Sequence, residues 1–373
     1  MSSGPQTITN TAMTRAMITG WGKCLPPAVL SNHDLESLVD TSDDWITTRT
    51  GIKERRISHV EVSDMAAVAA AHALAAAGKT PAECDLIVLA TCTGDSSIPA
   101  TAAHVQAKLG AWNAAAFDLN AACSGFVYAL VTGANMITAG THKTVVVVGA
   151  EKLHYHLDFT NRATAVLFGD GAGAVVLEAS DAGVGVLASE LGMDGSASGI
   201  LEIPEDGTMG DRENRDPRGA GIHMDGPEVF KRAVTTMGDA SVRVLEKAGI
   251  ALEDVDLLIP HQANIRIIDA TARRLKLDPR KVMINIQSYG NTSAATIPVA
   301  LTEALEEGRV EPGALIVIAA FGAGLSWGAA VIRWGDRVEP IGRSDAALVA
   351  NERTTEELLA PNVEFFGKHQ SAN

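Results

Sequence analysis

Cys123 stands in Asp118-Leu119-Asn120-Ala121-Ala122-Cys123-Ser124-Gly125, between a strand-like run and the helically spaced stretch Ser124–Ile137. The pattern predicts a strand-to-helix turn with the thiol at the helix N-terminus. Unpaired backbone N–H groups and the helix dipole favour a thiolate there, and a thiolate among small neighbours is a nucleophile. A buried structural cysteine is the plainer reading of a lone Cys, and Cys24, Cys84 and Cys92 take that reading. His261 follows a predicted strand in Leu257-Leu258-Ile259-Pro260-His261-Gln262-Ala263-Asn264. Polar residues just beyond a strand's C-terminal end are placed to line a site; a hydrogen-bonded structural His is the alternative. A third segment, Ser288-Tyr289-Gly290-Asn291-Thr292-Ser293-Ala294-Ala295, reads as a turn opening a helix, where capping alone would explain Asn291 or Ser293.

Two further patterns fail their context tests. Gly169-Asp170-Gly171-Ala172-Gly173 looks like a phosphate-binding loop, but it runs into the strand Ala174-Val175-Val176-Leu177 rather than a helix. Tight backbone packing explains it better. His154-Tyr155-His156 lacks the carboxylate or Cys pattern of a metal site, so no metal is expected.

The elements that must position these residues follow from length and composition. A chain of 373 residues exceeds one small core, which predicts two domains or two fused halves. Hydrophobic residues at 46% and charged residues at 20% describe a globular chain, and aromatics at only 4% suit tightly packed α/β layers. The net charge of −15, without a Lys/Arg run, argues against a nucleic-acid binder. The longest apolar runs, Val145–Val148 and Ala314–Ala320, are strand-sized, so no membrane span is expected. Four cysteines without C-x-x-C spacing or a signal peptide suit reduced thiols in a cytoplasmic protein.

Short β-rich runs alternate with Ala-rich helical stretches, the pattern of an α/β protein. The chain also repeats itself. Gly78 and Gly249 lie 171 apart, as do Asp85 and Asp256, in matching helix–turn–strand passages; Thr144–Ala150 matches Ala314–Ala320 at an offset of 170. An internal duplication is expected, which brings equivalent loops together at a shared interface. At an offset of 170, Cys123 lands on Ser293, two residues from Asn291. Leu201–Gly226, with Asp211-Arg212-Glu213-Asn214-Arg215-Asp216-Pro217-Arg218, reads as a solvated loop or a lid. The organisation expected is an N-terminal extension over 1–17, a first half over 18–185 and a connecting segment over 186–226. A second half covers 227–335, and a tail over 336–373 reads as an appendage with one short helix at Asn351–Leu359.

Together the segments resemble the β-ketoacyl-acyl carrier protein synthase III family of the thiolase superfamily. The resemblance runs from about Ile18 to Trp334. It rests on Thr41-Ser42-Asp43-Asp44-Trp45-Ile46 with Arg49-Thr50-Gly51-Ile52, Ala122-Cys123-Ser124-Gly125-Phe126 and Leu167-Phe168-Gly169-Asp170-Gly171-Ala172-Gly173. His261-Gln262-Ala263-Asn264, Gly290-Asn291-Thr292-Ser293 and Phe321-Gly322-Ala323-Gly324 complete it.

The resemblance implies a five-layer αβαβα fold of two duplicated halves, usually a homodimer, and a triad of Cys123, His261 and Asn291. It implies a reaction in which Cys123 takes the acyl group of a short acyl-CoA, after which malonyl-acyl carrier protein loses CO₂ and its carbanion attacks the acyl-Cys. Backbone N–H groups of Cys123 and Ala323 would hold the oxyanion. Trp45, Arg49, Arg162 and Asn264 match CoA-binding positions, and Lys231, Arg266 and Arg273 match basic positions that meet the acidic carrier protein. No cofactor is implied, since acyl-CoA and malonyl-acyl carrier protein are substrates.

Two departures stand out. Ala323 replaces a glycine of many members but keeps its backbone N–H. Ile98 matches a position that reaches from the partner subunit and bounds the acyl pocket, and its size suggests an intermediate or branched primer. The alternatives are a relative that primes a polyketide, condenses with malonyl-CoA or only transfers acyl groups, and a non-catalytic carrier-protein binder. Hydroxymethylglutaryl-CoA synthase needs a catalytic Glu near the start that no motif supplies.

Overall fold

Runs of Val and Ile form buried strands, and runs of Ala form the helices laid against them. This is seen in a computed structural model that describes residues 14–204, 207 and 217–368. Residues 1–13 of the expected extension and the charged run Asp211–Asp216 fall outside the described residues. The chain opens with β1 (Arg15–Cys24), β2 (Ala28–Ser31), α1 (Asn32–Leu35), α2 (Asp43–Thr50), β3 (Glu54–Ile57) and α3 (Val62–Ala77). It continues through β4 (Leu86–Ala90), α4 (Thr101–Leu109), β5 (Ala115–Leu119), α5 (Gly125–Thr138), β6 (Thr144–Lys152), α6 (Arg162–Ala165) and β7 (Asp170–Ser180). Next come β8 (Gly185–Met193), β9 (Leu201–Glu202), β10 (His223–Met224), α7 (Gly226–Ala248), β11 (Leu257–Pro260) and α8 (Ile265–Arg274). Last are α9 (Ile286–Tyr289), α10 (Thr296–Glu306), β12 (Leu315–Gly322), β13 (Ser326–Arg333) and α11 (Thr355–Gly367).

The first sheet has the order β1-β7-β6-β4-β5 and the second β11-β12-β13-β8. Helices α5 and α10 lie between the sheets, α3 and α4 cover the outer face of the first, and α7 and α8 cover that of the second. This is the five-layer αβαβα arrangement of the thiolase fold. Strands β4 and β12 are buried at every residue because both of their faces carry helices. The Ala-rich face of α3 sits so near β1 that a Cβ on Gly20 would lie 2.1 Å from the Ala73 carbonyl oxygen. Small residues at such contacts let helix and sheet close without aromatic filler.

The duplication is visible in the backbone. Strands β4 and β11, helices α5 and α10, and strands β6 and β12 each begin 171 residues apart. Single 3-10 turns at Ala122–Ser124 and Ser293–Ala295 keep the same spacing. Both turns open on a non-glycine residue with positive φ, Ala122 at 46° and Ser293 at 49°. The shared offset corrects the expected pairing: Ser293 is the counterpart of Ala122, and Cys123 is the counterpart of Ala294.

Three boundaries also differ from expectation. Strand β1 begins at Arg15, inside the supposed extension. The connector over 186–226 starts later, because β8 pairs antiparallel with β13 and belongs to the second sheet. The tail is no appendage. Ile341 and Gly342 donate their N–H groups to Ala76 and Ala75 of α3, both at 3.0 Å. The helix at its end starts at Thr355 rather than Asn351, since Thr354 and Glu357 form a capping box that fixes the first turn. No helix among the described residues is long and apolar enough to cross a membrane.

Candidate active site

Past the end of β5, the Asn120 side-chain oxygen accepts the Ala122 N–H at 3.1 Å and turns the chain into the 3-10 turn that carries Cys123. Helix α5 follows directly, so the predicted strand-to-helix turn is present. Gly322, the last residue of β12, backs onto the Cys123 backbone. A Cβ there would lie 2.7 Å from the Cys123 nitrogen, so no other residue fits. Ser326 ties the Cys123 and Ala323 loops together: its hydroxyl meets that of Ser124 and lies within hydrogen-bond distance of the Ala121 and Ala323 carbonyls, at 3.0 and 2.9 Å.

His261 follows β11, its N–H donated to the Ala319 carbonyl of β12 at 2.8 Å, and its ring is buried at 2% exposure. Asn291 is gripped from both sides by one strand-like segment. Its N–H donates to the Leu167 carbonyl at 2.9 Å, and its carbonyl accepts the Gly169 N–H at 3.1 Å. Behind that segment the buried Arg55 donates to the Val166 carbonyl at 2.7 Å, and burial lowers its pKa to about 9. Asn291 Oδ1 accepts the Ser293 N–H at 2.8 Å, which leaves its Nδ2 hydrogens as the group on offer.

Cys123, His261 and Asn291 line one channel of about 990 Å³. Its wall also holds Trp45, Arg49, Arg162, Asn264 and Arg266. The guanidinium carbons of Arg49 and Arg162 lie 4.9 and 4.7 Å from the Trp45 ring centroid, within cation–π range. Asn264 caps α8, accepting the Arg266 N–H at 2.9 Å, so its amide N–H₂ is likewise the free end. Cys123 lines a second cavity as well. This one, of about 280 Å³, is walled by Cys92, Leu153, Leu201, Ile203, Ile222 and Ala323 among others. The thiol thus stands where a wide channel of mixed lining meets a small, mainly apolar chamber.

The electrostatics correct one expectation. Burial pushes the Cys123 thiol up to about 11, and the nearby Glu151 carboxylate adds to the rise; the Ser293 hydroxyl and the residue's own N–H oppose it without prevailing. The resting group is therefore a thiol rather than the thiolate that the helix N-terminus suggested. Burial alone lowers His261 to about 3, so the imidazole is neutral near pH 7. Its Nδ1 lies 2.7 Å from Thr296 Oγ1, which also lies 3.0 Å from the Ser293 carbonyl oxygen. With the Thr296 hydroxyl proton turned to that carbonyl, Nδ1–H donates and Nε2 is a bare base. With the proton turned to Nδ1, Nε2–H is a donor. One neutral ring can serve either need.

Sequence reasoning missed the group behind the sulfur. Glu151, fully buried at the end of β6, accepts the Thr93 hydroxyl at 2.6 Å, the Cys92 N–H at 3.1 Å and the Ser293 hydroxyl at 3.1 Å. Burial raises its pKa, against the pull of those donors. Cys92, read from sequence as structural, shares the Cys123 chamber. A polar residue just past a buried Val run was the available signal for Glu151. The histidine pair is structural: the His154 ring bonds the Asp170 carboxylate, and His156 Nδ1 pairs with the Ala220 carbonyl at 3.0 Å.

With the geometry in place, the chain's relatives decide its kinship. The family model described as 3-oxoacyl-[acyl-carrier-protein (ACP)] synthase III matches residues 117–195, and the corresponding C-terminal model matches 245–334. A beta-ketoacyl-[acyl-carrier-protein] synthase III 2 of Vibrio cholerae is 52% identical over 356 residues, 95% of this chain and 98% of that protein. The chain belongs to the β-ketoacyl-acyl carrier protein synthase III family. A synthase III of Symbiobacterium thermophilum is 53% identical over 325 residues, 85% of this chain and 98% of that protein. The crystal structure of the synthase III of Aquifex aeolicus superposes with a TM-score of 0.80 at 49% identity, covering 86% of this chain and all of the other.

The remaining residues suggested by the synthase III resemblance scatter more widely. Arg266 rims the channel and lies over the Phe230 ring at 5.2 Å. Lys231 is the next residue after Phe230 on α7 and is paired loosely with Glu228 at 3.8 Å. Arg273 is exposed, two turns along α8, and does not line the channel. Ile98 is 88% exposed and lines neither cavity of its own chain.

Proposed function

We propose that this synthase III is the initiating condensing enzyme of fatty-acid biosynthesis, joining a short acyl-CoA primer to malonyl-acyl carrier protein. The convergence of Cys123, His261 and Asn291 on one channel, with Trp45 and two arginines in its wall, carries the reading. In the first half-reaction the Cys123 thiol gives up its proton, with neutral His261 as the base at hand. The sulfur attacks the thioester carbonyl, and the N–H groups of Cys123 and Ala323 hold the tetrahedral oxyanion. The C–S bond to CoA then breaks, and CoA leaves as a thiol with the proton. Trp45 stacks on its adenine, while Arg49, Arg162 and Asn264 meet its polar groups.

In the second half-reaction, malonyl-acyl carrier protein enters the same channel. Loss of CO₂ leaves an enolate whose oxygen accepts hydrogen bonds from Asn291 Nδ2–H and His261 Nε2–H. The carbanion attacks acyl-Cys123, the sulfur leaves as thiolate and takes a proton from solvent, and β-ketoacyl-acyl carrier protein departs. The chemistry uses no resident cofactor and no metal. Arg266, with Lys231 and Arg273 nearby, attracts the acidic carrier despite the net charge of −15, because near charges outweigh screened distant ones. The half-exposed edge strand β5 and the uncovered Ile98 fit a homodimer in which Ile98 bounds the partner's acyl chamber. Four free cysteines suit the cytoplasm.

The test is acyl labelling followed by turnover. Acetyl- or isobutyryl-CoA should add one acyl group, lost in Cys123→Ala and kept in Cys92→Ser, and malonyl-acyl carrier protein should then discharge it as a β-ketoacyl product. Labelling that survives Cys123→Ala overturns the assignment of the nucleophile. Discharge by malonyl-CoA alone overturns the carrier protein as donor.

A further inference from the structure

The chamber beside Cys123 is walled in part by Leu153 and Ile222. Neither residue is held by the core sheets alone. Leu153 opens a 3-10 turn, Leu153–His156, that projects from the end of β6. Ile222 is bound to that turn: its N–H donates to the His156 carbonyl at 3.0 Å, and His156 Nδ1 meets the Ala220 carbonyl. On the outer side the turn meets α11. The Asn362 amide donates one hydrogen to the His154 carbonyl and the other to the Leu157 carbonyl, both at 2.7 Å. Leu358 and Leu359 of the same helix are buried in the apolar cluster that contains Leu153, Leu157, Phe159 and Ile222. The Thr355 hydroxyl, donated to the Val29 carbonyl at 2.8 Å, pins the helix start to β2.

We propose that α11 is the outer support of the chamber wall, and that Asn362 is a positioning residue through which this tail helix limits the length of primer that Cys123 accepts. The inference rests on reading that chamber as the acyl site. One carbonyl inside the turn and one just past it, both accepting from a single side chain, fix the course of the turn and so the place of Leu153. Without Asn362 the Leu157 carbonyl loses that donor, and a buried carbonyl without a partner drives local rearrangement. Ile222 moves with the turn, because its own N–H is bonded to it. The effect falls on a wall that a two-carbon acyl group scarcely reaches and that a longer chain must press against.

The experiment measures acylation of Cys123 in the full chain by a series of acyl-CoA thioesters, from acetyl through isobutyryl and hexanoyl to octanoyl. In Asn362→Ala the kcat/KM ratio of octanoyl to acetyl should rise about tenfold, the size of one misfitting methylene or so, with acetyl changed less than twofold. Thr355→Ala, a milder loosening of the same helix, should move the ratio in the same direction by less. Ile222→Ala opens the chamber directly and reports whether the wall limits chain length at all. A ratio that stays put in both tail variants while Ile222→Ala raises it overturns the role of α11. Equal loss for every chain length in the tail variants does so too, since that is what general destabilisation gives. If the unaltered protein takes up no acyl group from any of these thioesters, it is the proposed function that fails, not the support.

Discussion

Asn120 and Asn291 are the same turn made twice: 171 residues apart, each side-chain oxygen accepts the N–H two residues ahead, at 3.1 and 2.8 Å. In both cases the amide nitrogen is left over. Only Asn291 shares its channel with the imidazole, whereas Asn120 lines the small chamber. Asn291→Ala should therefore lower malonyl decarboxylation roughly a hundredfold or more, the cost of a lost enolate donor, while acyl uptake by Cys123 survives. Asn120→Ala should leave decarboxylation nearly intact and cost about 1 kcal/mol of stability, the worth of one turn hydrogen bond. Separate assays of the two half-reactions, with a denaturant midpoint, distinguish them. Equal loss of both half-reactions in Asn291→Ala contradicts its role.

Thr296→Val removes the hydroxyl that meets His261 Nδ1. The ring can then no longer exchange its proton with the hydroxyl, and decarboxylation should fall between about ten- and a hundredfold. Thr296→Ser, which keeps the hydroxyl, should recover most of it. A serine variant as poor as the valine one would point to packing instead.

Glu151→Gln removes a negative charge that raises the Cys123 pKa. The midpoint of the alkylation-rate profile with iodoacetamide should shift downward from about 11. An unchanged or upward-shifted profile would show that the carboxylate does not act on the sulfur.

His261 gives acid sensitivity of a definite sign. Unfolded, it binds a proton near its ordinary 6.5; folded, only near 3. Between those values the unfolded chain holds more protons, so the contribution of this residue is complete above about 6.5 and is lost as pH falls toward 3. The thermal midpoint should drop between pH 7.5 and 5, and less steeply in His261→Asn. Parallel slopes would rule out this residue as the cause.

Trp45→Ala should raise the KM for acyl-CoA about tenfold, with kcat nearly unchanged, because a stacked base is worth about 1–3 kcal/mol. A fall confined to kcat would mean that the indole does not hold the nucleotide.

The layered fold, the duplication and the three converging segments were legible because each is written locally. A buried strand of Val, a Gly-closed helix and a short polar turn leave period and punctuation within a dozen residues. What stayed hidden depends on distant pairings. Glu151 and Ser293 meet across 142 positions, and nothing around Cys92 tells that its side chain shares a chamber with Cys123. The protonation of Cys123 was misjudged for a related reason: the helix terminus shows in the sequence, whereas the burial that overrides it comes from both halves. The tail misled in another way. Pro361 lies inside α11 and lacks the N–H that the previous turn would accept. The helix persists through it because Leu358, Leu359 and Phe366 are buried on the body of the protein.

The constant offset between the halves has one more consequence. At the position equivalent to Cys123 the other copy has Ala294, and at the position equivalent to His261 the first copy has Ala90. Each copy carries one reactive group and has a methyl where the other copy has its own. Neither could work unaccompanied, and among the described residues no mirror-image triad is present. The core that joins the copies, with residues of α5 and α10 in one apolar cluster, is therefore what holds the two reactive groups in register.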